Sequence, residues 1–447
     1  MSITAARSDE PDGAPRIASL DVLRGVAILG ILFMNINDMG QSMLASGADI
    51  RHLGWAPADR VAWTIREVFF NGTARCLLEM LFGAGMVILT ERAATSAGRW
   101  ATMRRYYARN VVLFGFGLVH VFILLWPGEI LHTYALAALI AFLFRRLRPR
   151  WLIAIGLIAA VSQLGGAGYF GYYRGLQQHT AIQRVEARQQ AHLPLNKGDR
   201  ALLDRAAKAD ARRARLASDI TAEDRGRTGS FSDWAHTQID GFIDLESKGL
   251  ELLWVWEAAS VMLIGAALFK LGILQGLRSR RFYALLAIAG YGIGLPLRAI
   301  GAAEQMRFDH LPHTMWATSE IAREATTLGH VAVISLLLAS VAGARLMKPF
   351  AAAGRTALSI YVAQTLITLW LVFPPFALAL YGRLTWAPLM LAALAIDAVL
   401  LVLANHYVRS FAIGPVEWAW RSIVERRRLP FRHRRIGASN DGLALPA

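Results

Sequence analysis

The sequence predicts an all-α, polytopic membrane helical bundle of about ten transmembrane helices, and three observations carry that prediction. Hydrophobic residues fill 55% of the 447 positions, and mean hydropathy is +0.38. Apolar runs near the ~20 residues a helix needs to cross a bilayer recur along the chain. Arginine clusters separate the runs. In a soluble chain the net charge of +16 would suggest a nucleic-acid partner. Here the basic residues sit in short connections, so they report orientation and contact with anionic headgroups. Membrane lipids, and no nucleic acid, are the expected partners.

Taken in order, the expected spans run Leu20 to Ile36, Val68 to Leu89, Asn110 to Trp126, Glu129 to Phe144 and Trp151 to Tyr173. After a polar interruption they continue Leu250 to Leu271, Phe282 to Ile300, Glu324 to Ala344, Thr356 to Phe373 and Trp386 to Tyr407. The organisation is therefore a membrane half over 1–173, an insertion over 174–249, a second membrane half over 250–408 and a basic tail over 409–447. Arg16 and Arg24, Arg92 through Arg109, Arg145 through Arg150, Arg278 through Arg281, Arg345 through Arg355 and the tail all fall on one side. The excess of positive charge marks that side, with both termini, as cytoplasmic. The insertion is mixed in charge and rich in Ala, Arg, Gln and Asp, which reads as an external, solvated helical hairpin. Residues after Arg435 are small and polar and are expected to be disordered. Cys76 is the only cysteine and lies in an apolar run, which excludes an internal disulfide and argues against a thiolate metal site.

Ionisable side chains at membrane depth are costly and mark functional candidates. His120 lies six residues before the Trp126-Pro127-Gly128 turn, about 9 Å below it at helical rise. Glu129 caps that turn, and His132 and Tyr134 follow it. Asn35 and Asp38 end the first span on the same side. Arg75 and Glu79 are four apart, hence on one helical face and able to pair. Glu257, Arg298, Glu320, Arg323, Glu324 and His330 also fall towards that leaflet, so a polar cavity opening outward is expected, with the His120 ring facing into it. Against this stands a structural reading in which His132, Tyr134 and Gln364 are interhelical hydrogen-bonding groups and Arg75 and Glu79 a structural pair. Asp21 meets the start of the first helix dipole. Gly83-Ala84-Gly85 and Gly115-Phe116-Gly117 suit close helix packing. The chain has no Walker loop, dinucleotide fingerprint, His-Glu-x-x-His or Gly-x-Ser-x-Gly elbow, and no metal centre is expected.

The run from Leu20 to Ile31, LDVLRGVAILGI, followed by Asn35, resembles the opening motif of the YeiB family of bacterial inner-membrane proteins, domain of unknown function 418. Leu81-Phe82-Gly83-Ala84-Gly85 is similar to its second-span motif, and His120 with Gly128-Glu129-Ile130-Leu131 and Tyr134 to its hairpin. Gly354-Arg355-Thr356-Ala357-Leu358-Ser359-Ile360-Tyr361, with Gln364, resembles its late span, and Gly414-Pro415-Val416-Glu417-Trp418 closes the match. Glu129 stands where the family often has Asp, and the insertion lies outside the motif pattern. The resemblance implies a multi-pass protein of the bacterial inner membrane.

The opening motif is also similar to that of transmembrane acyltransferases, which implies acyl transfer from a coenzyme A thioester to a hydroxyl acceptor near the outer face. On that analogy His120 is the general base, Glu129 orients the base or the acceptor, and Asn35 polarises the acyl carbonyl. The depth gap between His120 and Glu129 argues against a direct hydrogen bond. Arg24, Arg104, Arg105 and Arg109 hold donor phosphates of acyl-coenzyme A. Asp38, His132, Tyr134, Arg75 and Gln364 contact a small-molecule, lipid or glycan acceptor, and a homo-oligomer is an expected assembly. The alternative is a transporter or lipid-binding protein in which the same groups bind a polar headgroup without covalent chemistry.

Overall fold

The computed structural model describes residues 17–96 and 98–432; Arg16 and the tail beyond 432 lie outside the described residues. Regular structure among them is helical. The principal helices are α1 (Ala18–Gly40), α2 (Thr73–Ser96), α3 (Gly98–Phe122), α4 (Leu131–Phe144), α5 (Pro149–Gln190), α6 (Lys197–Thr228), α7 (Phe231–Ser247) and α8 (Leu250–Lys270). They continue as α9 (Arg280–Gln305), α10 (Met315–Leu338), α11 (Val341–Arg355), α12 (Ala357–Val372), α13 (Trp386–Ser410) and α14 (Pro415–Val424).

Among the described residues, seven stretches are long and apolar enough to cross a membrane, or eight if α11 and α12, bent by 75° at their junction, form one broken span. This is an all-α polytopic membrane protein. Each of the ten expected spans overlaps a helix, but Glu324 to Ala344 runs past the end of α10 at Leu338 into α11, and three others do not stand alone as crossings. α3 carries Arg104, Arg105 and Arg109 in its first half. α4 has 14 residues, about 21 Å of helix. α12 is one arm of the bent pair. Large apolar side chains such as Leu285, Ile288, Val402 and Leu403 stay exposed on the outer faces of α9 and α13. Lipid tails solvate such faces as well as a protein core does.

Glycines set the closest crossings. A Cβ on Gly25 would lie 1.9 Å from the Phe350 carbonyl, and one on Gly354 1.8 Å from that of Asp21, so α1 and α11 touch backbone to backbone. Gly83 and Gly265 do the same for α2 and α8. The expected close-packing role thus holds for Gly83, whereas Gly85 and Gly115 face open space. The α11/α12 bend is supported by Glu417 of α14, which accepts from the Leu358 amide at 2.7 Å, the Ser359 amide at 3.3 Å and the Ser359 hydroxyl. Two of the recognised motifs therefore meet at one helix start.

The insertion corrects the picture of a solvated hairpin. Most of α6 is exposed, yet its C-terminal end is docked on the bundle. Glu223 accepts from the Ser42 hydroxyl and the amides of Met43 and Leu44, capping the short helix Met43–Ala48. Asp224 meets His52 and the Tyr381 hydroxyl, each at 2.7 Å. Arg227 is buried and donates to the carbonyls of Asp38 and Gln41 at 2.9 and 2.8 Å. In α7, Trp234 packs on Trp370 and Phe376, and Phe242 on Phe122 and His132. The insertion thereby covers the end of the bundle where the hairpin between α3 and α4 turns.

Candidate functional site

The site is built on that hairpin. α3 ends at Phe122, and Leu125, with φ of 58°, starts a loop in which the Trp126 ring folds over Gly128. Glu129 then accepts from the amides of Leu131 and His132 at 2.5 and 3.0 Å, satisfying the first free donors of α4. The expected cap is therefore present, but Glu129 is buried, not solvated. Its Oε2 lies 2.7 Å from His132 Nδ1, and its Oε1 lies 3.6 Å from His120 Nδ1. The second distance exceeds hydrogen-bond length, as the depth gap implied. Gly117, one turn before His120, makes room for this pair: a Cβ there would stand 2.6 Å from the His132 amide and 2.8 Å from Glu129 Oε2.

The other nitrogen of His120, Nε2, lies 2.8 Å from the Thr365 hydroxyl on α12, and the Tyr361 ring packs edge-on at 4.7 Å. The outcome is a carboxylate, imidazole and hydroxyl in line: Glu129, His120, Thr365. His120 is 1% exposed, so the expectation of a ring facing an open watery pocket is corrected. The ring is closed in, but among polar groups. His120 Nδ1 and Asn35 Nδ2 are buried without a hydrogen-bond partner among the described residues, while the buried Trp126 indole and Tyr361 hydroxyl lie near enough to interact with each other. Buried unpaired groups are costly and ask for a functional reason.

Asn35 shares one stripe of α1 with Ile28 and Met39, at spacings of seven and four. Ile28 accepts from Gln364 at 3.2 Å, and the Met39 sulfur lies 3.0 Å from the Thr368 hydroxyl. Asn35 therefore lies between these two contacts along α1. His132 reaches a second group of carboxylates, with Nε2 3.6 Å from Glu246 and 3.5 Å from Glu251.

The remaining predicted residues lie elsewhere. Arg75 joins Glu79, at 3.7 Å, and Glu257. Arg323 binds Glu79 at 3.3 Å and Glu257 and Glu320 at 2.6 Å each. Tyr134 donates to the Arg75 carbonyl at 3.2 Å, which places it with this charged layer. Asp38 accepts from Asn37 at 2.6 Å and belongs to the docking zone of Arg227. Gln364 donates to Ile28 and, at 2.9 Å, to Asp397, the interhelical role weighed for it. At the opposite end, Arg24 pairs with Asp21 at 3.2 Å, Arg105 with Glu425 at 2.5 Å, and Arg109 lies over the Trp420 ring at 4.1 Å. Arg24, Arg105 and Arg421 all lie near enough to act on the charge of Arg109. Arg104 instead lines a separate groove of about 510 Å³ with Trp100, Ala101, Met103 and Tyr107. Thr365, Tyr361, Trp126, Glu246 and Glu251 were not singled out as site residues; the partner of His120 lies 245 positions away.

With this geometry in place, the chain can be compared with known proteins. Residues 268–427 match the model of a family described as "Protein of unknown function (DUF418)". The chain is similar to YxaH of Bacillus subtilis, an uncharacterized protein, at 28% identity covering 91% of this chain and 94% of that one. It is likewise similar to uncharacterized YeiB of Escherichia coli, at 27% identity over 93% of this chain and 98% of the relative. The chain thus carries a DUF418 match over residues 268–427 and is similar to the YeiB-like proteins over most of its length. The family region covers the part that delivers Thr365, Tyr361 and the Glu417 cap, while His120 and Glu129 come from the preceding half.

Proposed function

We propose that this YeiB-like protein is a membrane-embedded acyltransferase that moves an acyl group from a coenzyme A thioester to a hydroxyl acceptor. The observation that carries the reading is the line Glu129, His120, Thr365 inside a cluster of buried polar groups. A carboxylate on one side of an imidazole and a hydroxyl on the other is the arrangement by which a general base is oriented and its protonated form stabilised. The Nδ1 proton faces Glu129, and Nε2 takes the proton of the acceptor hydroxyl, which stands where the Thr365 hydroxyl rests. The acceptor oxygen forms the new ester bond as the carbon–sulfur bond breaks, and the proton held on His120 passes to the departing thiolate. Thr365 is a positioning group, and the Asn35 amide nitrogen is free to donate to an oxyanion.

The thioester donor supplies an activated acyl carbon. Arg24, Arg105, Arg109 and Arg421 converge at the opposite end of the bundle, and such a set suits phosphate groups. Arg104 lies outside it. We place the protein in the bacterial inner membrane with both termini cytoplasmic, so that the arginine-rich end meets cytoplasmic donor and the insertion lies outside. The acceptor is a small molecule, lipid or glycan reaching the site when the insertion moves aside, and a homo-oligomer is compatible with the exposed faces.

The closed state of the site favours a second reading, transport, because a buried polar centre sealed at one end is also what alternating access requires. The two separate on chemistry. Protein reconstituted in lipid discs is given acetyl-coenzyme A with hydroxyl acceptors, and thiol release is followed. His120→Ala is expected to lose about 10²- to 10⁴-fold in rate, the range of general-base catalysis, while unfolding at the wild-type temperature. Wild-type protein that neither binds nor cleaves any such thioester overturns the assignment, and solute flux in proteoliposomes would then establish transport.

A further inference from the structure

Three side chains from three helices converge beside the hairpin, and their chemistry does not depend on acyl transfer. We propose that His132, Glu246 and Glu251 form a binding site for a divalent first-row transition metal of the zinc or manganese kind. His132 opens α4, Glu246 closes α7 and Glu251 opens α8. Gly249, at φ of 69°, makes the turn that brings the two glutamates to one place.

One donor atom from each residue can be chosen so that all three lie within 4.8 Å of one another. His132 Nε2 is 3.6 Å from Glu246 Oε1 and 3.5 Å from Glu251 Oε2. Zinc bonds of about 2.0–2.2 Å at tetrahedral angles put ligand atoms about 3.4 Å apart, so these two edges already have the needed length. The third edge closes with a small rotation of Glu246, whose side chain is the most exposed of the set.

The state of His132 points the same way. Its Nδ1 lies 2.7 Å from Glu129 Oε2, and in the tautomer with the proton on Nδ1 the Nε2 lone pair faces the two glutamates. A carboxylate behind a histidine is the usual support for a metal-binding ring. His132 is 5% exposed, yet Nε2 has no hydrogen-bond partner, and neither does the buried Oε1 of Glu251. Glu251 Oε2 is steadied by the Thr133 hydroxyl at 3.0 Å, and the rings of Phe114 and Phe242 wall the imidazole.

Charge supplies a further argument. Glu129, Glu246 and Glu251 form a carboxylate group whose ion pairs, among the described residues, are made with histidines and with no arginine or lysine. A divalent cation relieves that excess of negative charge and leaves a fourth position for water. The competing description is an imidazolium held among three carboxylates.

The test uses the full-length chain, purified in detergent, stripped with chelator and titrated with Zn²⁺ and with Mn²⁺ by calorimetry, with bound metal counted by mass spectrometry. One ion per chain is expected, together with a rise in unfolding temperature on loading. Glu246→Gln, at a partly exposed position, keeps the fold while weakening affinity at least tenfold and abolishing the temperature rise; Glu251→Gln does the same. Absence of stoichiometric binding overturns the proposal in favour of the imidazolium. Equal affinity in wild type and Glu246→Gln overturns it in favour of adventitious surface metal. Neither readout involves an acyl donor, so failure of the acyltransferase assignment would leave this result standing.

Discussion

Two charged layers meet on α8, at Glu251 and Glu257, and they differ in the kind of cation that balances them. In the layer of Arg75, Glu79, Glu257, Glu320 and Arg323 the positive charge is guanidinium, which is permanent and bidentate. In the layer of His120, Glu129, His132, Glu246 and Glu251 it is imidazole, a ring that can carry a proton or ligate a metal. Tyr134, two residues after His132, already belongs to the first layer through the Arg75 carbonyl. A count of membrane-depth charges would treat the layers alike. The donors that face the carboxylates separate a brace from a site.

The largest expected effect breaks this contrast if it fails. Arg323→Ala leaves Glu79 and Glu257 with Arg75 alone and takes from Glu320 its guanidinium partner, and removing one partner of a buried ion pair costs about 3–5 kcal/mol. His132→Ala is expected to cost less than half as much, because Glu246 and Glu251 retain access to water and protons. Thermal unfolding in detergent measures both. Equal losses would make the layers alike in kind.

A smaller effect sharpens the contrast within one helix. Gly117→Ala drives a methyl into the His132 amide and Glu129, with an expected cost of about 1–3 kcal/mol from overpacking. Gly115→Ala meets open space and is expected to be neutral, or stabilising by up to about 1 kcal/mol through helix propensity. Unfolding temperatures of the two variants decide it.

The smallest effect is in pH. Because the folded-state value of Glu246 is raised by burial and by Glu251, with His132 opposing, its stabilising contribution is complete below the ordinary carboxylate range. It is lost as pH rises through the raised value. Metal-free wild type should therefore be less stable than Glu246→Gln at pH 7.5 and approach it as pH falls towards the carboxylate range, read from paired melting curves.

How much of this was legible in the chain follows from what a helix reveals. Rise per residue gives depth, so the hairpin at Trp126-Pro127-Gly128, the placement of His120 below it and the capping Glu129 could all be read directly. Azimuth and neighbours depend on packing, and they were not. Arg75 and Glu79 do pair at four residues' spacing, but their stronger partners sit on α8 and α10. Thr365 lies next to Gln364, which was noticed, yet the two point to different neighbours, His120 and Asp397. Gly117, one turn before the histidine, was the one local signal for the missing contact, and it was read as generic packing. Composition showed the insertion to be polar and helical, while the buried Arg227 that docks it had nothing in its local sequence to distinguish it from its exposed neighbours.

Glu129 is shared between two rings, and thermodynamics attaches a consequence to sharing. Any ligand that draws His132 away from, or tightens it against, the common carboxylate alters how well that carboxylate can hold a proton on His120. By reciprocity a proton on His120 must alter the grip on that ligand by the same factor. A single acid thus makes two binding events, 12 residues apart in the chain, into one equilibrium with two handles.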